Sequence, residues 1–511
     1  MTKDFPKERL EYAISCLRDY KRAKAPLESR IKEEELWWQL RHWEVLGPEE
    51  GEKPVSAWLF SNITNKHADA MDNFPEPAVL PREPGDRRTA RQLSLIIPAV
   101  MERCGFEQTY SDAWWYKLKH GAAAYGVFWD SEAEKGLGDI DITFIDLLNI
   151  FWEPGISDIQ QSRNLFIAAR WDRDIFEKAY PGLKGKAGDI IDVMTYVKAA
   201  NDDKVTVIDW YYKKDGRVHY CKFAGEHVLY SSEYDPKCQK GWYSHGKYPV
   251  VIDNLFPMEG QPVGFGYIAV TKNPQEYIDR LGKNILESSL IASRPRYFSS
   301  RAAGINEEEF LDFTRPLVHV EGSISDERIR PITPYPLGDA YIKVQQMKIE
   351  EMKETAANRD FSAGSTSSGV TAASAISALQ EAGNKTSRDM IAASYRAYAA
   401  VAFMCLELIF QFYGPGRCFR IAGSDGFVIY SGFEEKGEHP SFDIKITAQK
   451  KNPFARVSQN ELAKELYSMG FFKPELANQA LGALELMDFE GKDTVRSYIV
   501  QNSQKEEKTG E

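Results

Sequence analysis

One stretch, residues 361–413, decides how the rest of the chain is interpreted, and it reads FSAGSTSSGVTAASAISALQEAGNKTSRDMIAASYRAYAAVAFMCLELIFQFY. It begins with a loop of small and hydroxylated residues and continues as a long helical pattern that Gly383-Asn384 interrupts, which predicts a kink. Apolar residues recur at spacings of three and four in the second half, which indicates one buried helix face. About 40 residues of helix span about 60 Å. A polar loop before so long a helix suits an assembly in which many copies of the loop surround something.

The chain has 511 residues, of which 43% are hydrophobic and 27% charged, and its formal net charge is −11. This length exceeds what one hydrophobic core usually supports, so two or more structural units are expected. The negative charge argues against a non-specific nucleic-acid binder, because such binding depends on lysine and arginine neutralising phosphates. An acidic lining is still compatible with guiding a polyanion, since it repels the backbone and lets it slide.

The six cysteines form no C-x-x-C pair, which favours free thiols in a reducing compartment over disulfides or a zinc site. The first residues contain no apolar signal core. The longest apolar run, 397–406, is too short to cross a bilayer. The sequence therefore predicts a soluble cytosolic protein with no membrane partner.

In the first half of the chain, the spacing of apolar residues changes from one typical of helices to one typical of strands. Residues up to about Asn73 are predicted to be helical, with Pro26 separating the first two helices, and helices follow at about 89–104 and 109–120. From Ala122 the apolar period is two, which predicts a mostly antiparallel β region. The predicted strands are 123–129, 140–145, 149–153, 165–171, 190–197, 205–213, 217–223 and 226–231, with a small helix at 174–179.

The second half predicts a helix, a small insert and a returning helix. Pro262 to Gly266 is interpreted as a hinge, and Asn273-Pro274 as the start of a helix to about Ser293. Residues 294–337 form a compact insert, and Asp339 begins the returning helix, which ends at about 359. The rest of the chain is predicted to form strands at 418–421, 427–430 and 442–449, a helix that ends at 470, and two more helices at 474–487 and 491–501. The predicted fold class is therefore α+β.

No motif for nucleotide or covalent chemistry is present. The Ser/Gly loop 362–369 lacks the Gly-Lys-Ser/Thr ending of a P-loop, so a flexible loop without nucleotide is favoured. No serine lies in a G-x-S-x-G elbow. The sequence predicts neither a cofactor nor an enzyme.

Two groups of residues could formally hold a metal ion. His67, Asp69 and Asp72 are close in sequence, but helical spacing places His67 on a different face from Asp69, so a solvated helix face is favoured. Asp139 and Asp141 share one strand face, with Asp146 beyond its end, so a divalent-cation site stays open. Alternation with apolar residues favours outward-facing polar side chains there.

A basic group, Arg294, Arg296 and Arg301, begins the predicted insert. These arginines could pair with Glu307, Glu308 and Glu309 inside the insert or across subunits, and this reading is favoured. The alternative is contact with a partner protein or nucleic acid at the tip of the insert.

The order of these parts resembles the portal proteins of tailed bacteriophages and prophages. The resemblance is carried by Gly264-Phe265-Gly266, by Asn273-Pro274-Gln275-Glu276 with the residues to Leu281, and by the insert that starts at Arg294-Pro295-Arg296. Residues 369–376 and 380–383 are also similar to that family, and the resemblance covers about 55–500.

The resemblance implies a dodecameric ring at one capsid vertex, with double-stranded DNA passing through a central channel during packaging and ejection. It implies a tunnel loop, with Ser362, Ser365, Thr366, Ser367, Ser368 and Val370 facing the DNA, and clip arginines Arg294, Arg296 and Arg301 meeting partners. The implied segments are a wing (1–262), stem helix one (263–293), the clip (294–337), stem helix two (338–360), the tunnel loop (361–372), a long helix with returning wing strands (373–450) and a short crown with a tail (451–511).

The implied partners are further copies of the chain, the large terminase, the head–tail adaptor, and the major capsid and scaffolding proteins. The implied location is the virion, with the host cytoplasm during assembly. Two other functions stay open: a metal-dependent nucleic-acid enzyme that uses the region of Asp139, and another ring-forming head–tail connector component.

Overall fold

The computed structural model describes most of the chain, in two compact units. One unit comprises residues 1–68 and 77–446, and the other comprises 69–76 and 447–511. The described residues are 5–48, 50–196, 203–238, 241–293, 296–299, 306–312, 329–332, 338–356, 385–421, 426–430, 441–450, 463–473, 476–485 and 495–500.

Helices and antiparallel sheets are both prominent, which confirms the α+β class. The named helices are α1 (Lys7–Trp38), α2 (His42–Leu46), α3 (Trp58–Met71), α4 (Arg87–Arg103), α5 (Phe106–His120), α6 (Ala133–Gly136), α7 (Arg173–Ala179), α8 (Tyr267–Ser293), α9 (Glu307–Leu311), α10 (Asp339–Thr355), α11 (Lys385–Phe412) and α12 (Ala477–Glu485).

The strands form one five-stranded sheet, one three-stranded sheet and three strand pairs within the described residues. The orders are β4-β5-β6-β7-β8, β3-β2-β9, β1-β14, β10-β11 and β12-β13. The strands are β1 (Asn73–Pro81), β2 (Ala122–Asp130), β3 (Asp139–Ile145), β4 (Ile150–Trp152), β5 (Asn164–Asp172), β6 (Lys204–Lys214), β7 (Arg217–Ala224), β8 (His227–Ser231), β9 (Val250–Asn254), β10 (Arg296–Ser299), β11 (Ile329–Ile332), β12 (Cys418–Arg420), β13 (Phe427–Ile429) and β14 (Phe442–Lys450).

The five-stranded sheet is apolar on both faces because successive side chains along a strand point to opposite sides. Leu165 and Ile167 belong to one buried cluster, whereas Phe166 and Ala168 belong to the other. The first half of α1 covers the second face through a stripe of buried residues, Leu10, Ala13, Ile14, Leu17 and Tyr20.

Helix α1 is continuous through Pro26, which corrects the predicted break. Proline removes one hydrogen bond from a helix and disfavours the helical region for the residue before it. Here buried residues lie on both sides of it, from Leu17 to Ile31 and Trp37, so packing holds the helix together across the defect. Tertiary contacts have overridden a local signal.

The same reason explains a second correction, at the start of α8. The helix begins at Tyr267 and not at Asn273, and Pro274 lies inside it. Tyr267, Ile268 and Thr271 in the preceding turns are buried, so packing forms the turns that the sequence pattern left out.

The predicted strand 190–197 is wrong for its described residues, which form no ladder. Ile191 and Val193 still alternate inward and lie in the core cluster beneath the sheet. The Asp189 carboxylate accepts a hydrogen bond from the Thr206 amide at 2.9 Å, so the segment contacts the sheet through side chains. Strand β9 was not predicted, and it completes the three-stranded sheet beside β2.

Helix α11 is the described part of the long helix predicted after the loop at 362–369. By length and composition its residues Ser387–Phe412 could span a membrane, and half of that apolar window is buried inside the protein. Tyr398, Val401, Ala402, Cys405 and Ile409 are buried, as in a core helix. The predicted kink at Gly383-Asn384 lies outside the described residues.

Polar contacts fix α11 to the β region. The Lys117 ammonium of α5 donates to Asp253 of β9 at 2.8 Å and to the Ser394 hydroxyl of α11. Burial lowers the pKa of Lys117, opposed by the charge of Asp253. The Tyr125 and Tyr398 hydroxyl groups lie 3.0 Å apart, which ties β2 to the same helix.

The second unit has a small core of its own. Ala477, Ala480 and Leu484 of α12 are buried together with Ile499, and residues 463–468 and 495–500 are also helical. The start of the helix predicted to end at 470 lies outside the described residues.

Candidate assembly surface

A buried polar anchor fixes α8 to the N-terminal helices. Asp279 is 1% exposed, and its carboxylate accepts hydrogen bonds from the Ser56 amide at 2.9 Å and from the Gln275 amide group at 3.0 Å. Nδ1 of His42 lies 2.5 Å from the other carboxylate oxygen. Gln275 also donates to the Ser56 carbonyl and accepts from the Leu59 amide. Since every one of these groups is paired, the anchor holds α8 in one position.

A second contact lies at the root of α8, where the backbone approaches α5 without side chains between them. A Cβ atom on Gly266 would lie 2.4 Å from the Lys119 carbonyl oxygen, and one on Gly264 would lie 1.7 Å from the Phe256 carbonyl oxygen. The Phe265 amide donates to that Phe256 carbonyl at 3.0 Å. The segment interpreted as a hinge is therefore a tightly packed junction that requires glycine.

Charged side chains surround this junction. The Arg30 guanidinium donates to the Gly264 carbonyl at 2.6 Å. His120 Nδ1 lies 2.9 Å from Glu34, and the Lys119 ammonium lies 2.7 Å from Glu35. Burial opposes ionisation of Glu35, but hydrogen bonds from His120 and Lys119 outweigh it and lower the pKa of Glu35 to about 2. The junction is therefore held by packing and by charge.

Beyond the anchor, α8 packs against α10. The Gln345 amide group donates to the Ile278 carbonyl at 3.4 Å and lies beside Gly282, where the missing side chain lets the helices approach. The Lys348 ammonium lies 5.6 Å from the ring centre of Tyr277. Within α10 only Met352 is buried, so almost the whole of this helix faces outward.

The outward face of the pair carries large apolar side chains. Met347 on α10 is 58% exposed and Ile291 on α8 is 54% exposed, and both lie on long regular helices. Fully burying one such side chain stabilises a protein by about 1.5–3 kcal/mol, so their exposure in a single chain is unfavourable. The large exposed apolar residues of the two helices are Tyr277, Leu286, Ile291, Tyr341, Ile342, Val344 and Met347. Helical spacing distributes them over more than one side of each helix, and we call this set as a whole the stem apolar face.

The helix pair is nearly neutral, with six basic and seven acidic residues in α8 and α10 together. Exposed charges are partly paired along the helices, for example Arg280 with Glu276 at 2.9 Å and Lys348 with Glu351 at 2.7 Å. The pair therefore lacks the excess of basic residues that strong phosphate binding requires.

The site residues named from the resemblance are not tested by these contacts. The tunnel-loop residues Ser362, Ser365, Thr366, Ser367, Ser368 and Val370 lie outside the described residues, as do Arg294 and Arg301. Arg296 begins β10, which pairs with β11 in the predicted insert, but its side chain is not described. Asn306 caps α9, where its side chain accepts a hydrogen bond from the Glu309 amide.

The three aspartates considered as a cation site do not converge. Asp139 is buried, contrary to the predicted outward orientation, and it contacts Arg103 at 2.5 Å, Arg417 at 3.1 Å and the Tyr413 hydroxyl at 2.6 Å. Asp146 lies beyond the other end of β3, about 20 Å away along a seven-residue strand, and caps a short turn by accepting from the Leu148 amide. Among the described residues no group of three or more metal-binding side chains occurs.

His67 is also structural. Its ring stacks on Trp115 with centroids 3.7 Å apart, and its Nε2 lies 3.1 Å from the Ser111 hydroxyl oxygen. The side chain is buried, so the predicted solvated face is wrong at this position. Burial lowers the pKa of His67.

A cleft of about 470 Å³ lies beside α1 and is lined in part by Lys24, Arg30 and Trp152. The Lys24 ammonium donates to the carbonyl oxygens of Leu148 and Ile150 at 3.0 and 2.8 Å. Burial lowers the pKa of Lys24 to about 7. This lysine is thus committed to holding α1 on the β region.

A family model described as Phage P22-like portal protein matches residues 68–226 and 213–511. The chain belongs to the phage P22-like portal protein family. The resemblance noted from the sequence is thereby confirmed. No curated protein matches the chain. Proteins of the portal family are structural rather than catalytic, and membership implies an oligomeric ring associated with the phage capsid.

Sequence reasoning missed the residues that anchor α8 of the portal chain to the N-terminal helices. His42, Gln275 and Asp279 are polar residues from distant parts of the sequence, and no local pattern indicates that they are buried together. Gly264 and Gly266 did give a signal, which was interpreted as flexibility when their role is close backbone contact.

Proposed function

We propose that the chain forms a closed dodecameric ring at the capsid vertex and that double-stranded DNA passes through its centre during packaging and ejection. The observation that supports this most is the stem apolar face, which lies on a firmly anchored pair of long helices. Identical copies arranged around an axis would cover it, because a head-to-tail contact repeated by rotation closes into a ring.

The proposed segments follow the order of the chain. Residues 263–293 and 338–360 form the stem, 294–337 the clip, and 361–372 the tunnel loop. Residues 1–262 with 373–450 form the wing, and 451–511 form the crown and tail. The exposed Phe298 and Leu311 support a contact role for the clip, since both would lose water contact against a partner. The clip would dock the large terminase and later the head–tail adaptor, with Arg294, Arg296 and Arg301 in that contact.

A channel for DNA must confine a polyanion and release it. The near-neutral helix pair supports this role, because dense positive charge would bind phosphates strongly and slow their passage. The proposed tunnel loop contains serine, threonine and valine and no basic residue between 361 and 371. Contact with DNA at this loop would then be steric and through hydroxyl groups.

Electron microscopy of the purified full chain, with mass photometry of the same sample, tests the ring. The expected result is closed rings with a central opening and twelve subunits. A chain that stays a single subunit under every assembly condition would contradict the proposal. A ring of another stoichiometry that fits the adaptor position in virions would favour the alternative connector function.

The channel role needs a separate test, since a ring alone does not show that DNA passes. Deleting residues 365–368 should leave ring formation unchanged and alter the length of DNA retained in filled capsids. A variant that forms normal rings and packages DNA like the wild type would remove the tunnel-loop assignment while leaving the ring intact.

A further inference from the structure

Helix α4 has a positively charged outward face in its first turns. Arg87, Arg88 and Arg91 are exposed in its first turns, followed by the exposed Leu95. Among the described residues none of the three arginines forms an ion pair, although Glu83 and Asp86 precede them. We call Arg87, Arg88, Arg91 and Leu95 the basic face.

This arrangement is unfavourable within one chain. Positive side chains at a helix N-terminus oppose the helix dipole and are unfavourable there. Arg87 and Arg91 are four residues apart, and Arg88 and Arg91 are three apart, so like charges lie next to each other. Two other exposed arginines are paired, Arg41 with Glu44 at 2.6 Å and Arg163 with Glu153 at 2.5 Å. An opposite charge from another molecule would relieve this cost.

An acidic turn lies at the other end of the same helix. It connects β2 to β3 and exposes Asp130, Glu132 and Glu134, together with Lys135 and with Leu137, which is 66% exposed. Half-burial and the nearby charge of Asp130 raise the pKa of Asp141, which shows that negative charge is crowded there. We call Asp130, Glu132, Glu134 and Leu137 the acidic turn.

The two surfaces cannot meet in one chain. Arg103, the last residue of α4, contacts Asp139 at 2.5 Å, and Asp139 pairs with Asp130 across the sheet. The acidic turn is therefore fixed at the C-terminal end of α4. The basic face begins 16 residues earlier, which is about 24 Å along a helix axis. An arginine side chain does not reach over that distance.

We propose that the basic face of one subunit binds the acidic turn of the next subunit in the ring. The occupant is a second copy of this chain because each surface matches the other in charge, and each presents an exposed leucine beside its charges. The contact is head-to-tail, so it repeats from copy to copy. It rests on the proposed ring, and it adds a charge-matched contact to the stem apolar face.

Charge reversal tests the contact directly. The variant R87E with R91E and the variant D130K with E132K should each form at least tenfold fewer rings than the wild type at equal concentration. A matched control is R18E with R22E, which reverses two exposed arginines four residues apart on α1 and should assemble like the wild type. Circular dichroism melts of the unassembled subunits check that each variant folds.

Mixing the two reversed variants decides between a contact inside a chain and one between copies. In an alternating ring every contact would again join opposite charges. The face made acidic by R87E and R91E would meet the turn made basic by D130K and E132K, and the unchanged basic face would meet the unchanged acidic turn. Equimolar mixing should restore ring formation to within about twofold of the wild type. A chain that carries all four substitutions should assemble alone.

Each other outcome overturns the inference in a distinguishable way. If the wild type forms rings and the reversed variants form them equally well, this contact is wrong but the proposed ring is not. Normal rings of the R87E and R91E variant that retain less DNA would assign the arginines to phosphate contact. A wild type that forms no ring would remove the proposed function itself. A loss that mixing does not restore would show that the charges do not face each other.

Discussion

Nδ1 of His42 lies 2.5 Å from the Asp279 carboxylate, although the two residues are 237 positions apart in the sequence. Both side chains are almost fully buried, and the other ring nitrogen of His42 lies 3.1 Å from the Trp37 carbonyl oxygen. This contact joins the start of α2 to the middle of α8. It makes the position of that helix depend on the N-terminal segment.

Asp279→Ala should strongly destabilise the fold, because it leaves His42, the Ser56 amide and Gln275 without their shared acceptor. Removing one partner of a buried pair costs about 3–5 kcal/mol. The measurement is the free energy of unfolding from urea titration of the unassembled subunit. Glu276→Ala is the control on the same helix, where loss of a half-exposed pair with Arg280 should cost less than about 1 kcal/mol. Equal losses in both variants would contradict the anchor.

Gly266→Ala should destabilise the junction by about 1–3 kcal/mol, because the new methyl group would overlap the Lys119 carbonyl. Gly338→Ala is a matched control, since a Cβ atom there meets nothing within 4 Å and the residue precedes the second stem helix. Thermal melting of both variants gives the comparison. If Gly266→Ala melted together with Gly338→Ala, the close packing at the root of α8 would be wrong.

Acid should weaken the junction through Glu35. Its pKa is about 2 in the folded chain, below the ordinary 4.5, so the stabilisation is present above about pH 4.5 and is lost as the pH falls toward 2. Glu35→Gln should therefore cost about 3 kcal/mol at pH 7 and flatten the fall in stability across that acid range. Urea titrations at several pH values measure this, and parallel curves for the two proteins would contradict it.

Ile342→Glu with Met347→Glu should reduce ring formation at least tenfold while leaving the subunit fold unchanged. Both side chains are exposed in the single chain and would be buried against the next copy, where a charge is costly. Ile175→Glu, at a similarly exposed apolar position on α7, is the control. Mass photometry counts the rings. Rings of both variants at wild-type yield would show that this face is not an interface.

Asp139→Ala with Asp141→Ala distinguishes a structural role from a metal-dependent nuclease. We expect lower stability, because Arg103 and Arg417 lose their buried partner, and no change in DNA cleavage in the presence of magnesium. Cleavage of linear DNA by the wild type, abolished in the double variant, would support the enzyme.

The sequence was most informative where a local pattern and tertiary packing agree. Strands such as β6 and β7 lie within a residue of their predicted limits, because alternating apolar residues face the two buried sides of one sheet. Strands β10 and β11 lie near the two ends of the predicted insert, and they pair with each other.

Local signals failed where distant contacts outweigh them. Pro26 and Pro274 both indicated helix boundaries in the sequence. Helices α1 and α8 nevertheless continue through them, because buried residues on each side stabilise the helix. Strand β9 is five residues long and gave too short a pattern to be recognised. The polar anchor at Asp279 and the position of the acidic turn near the end of α4 depend on which residues the fold brings together. Neither is encoded at a fixed spacing.

The glycine contacts at the root of the first stem helix have a mechanical consequence. The backbones of Gly266 and Lys119 are in close contact with no side chain between them. This junction therefore has no free space in which α8 could tilt. Torque applied at the far end of α8 would press directly on the last turn of α5. From there the force would reach the salt bridge between Lys119 and Glu35. A mechanical load on α8 would therefore strain an electrostatic contact within the subunit.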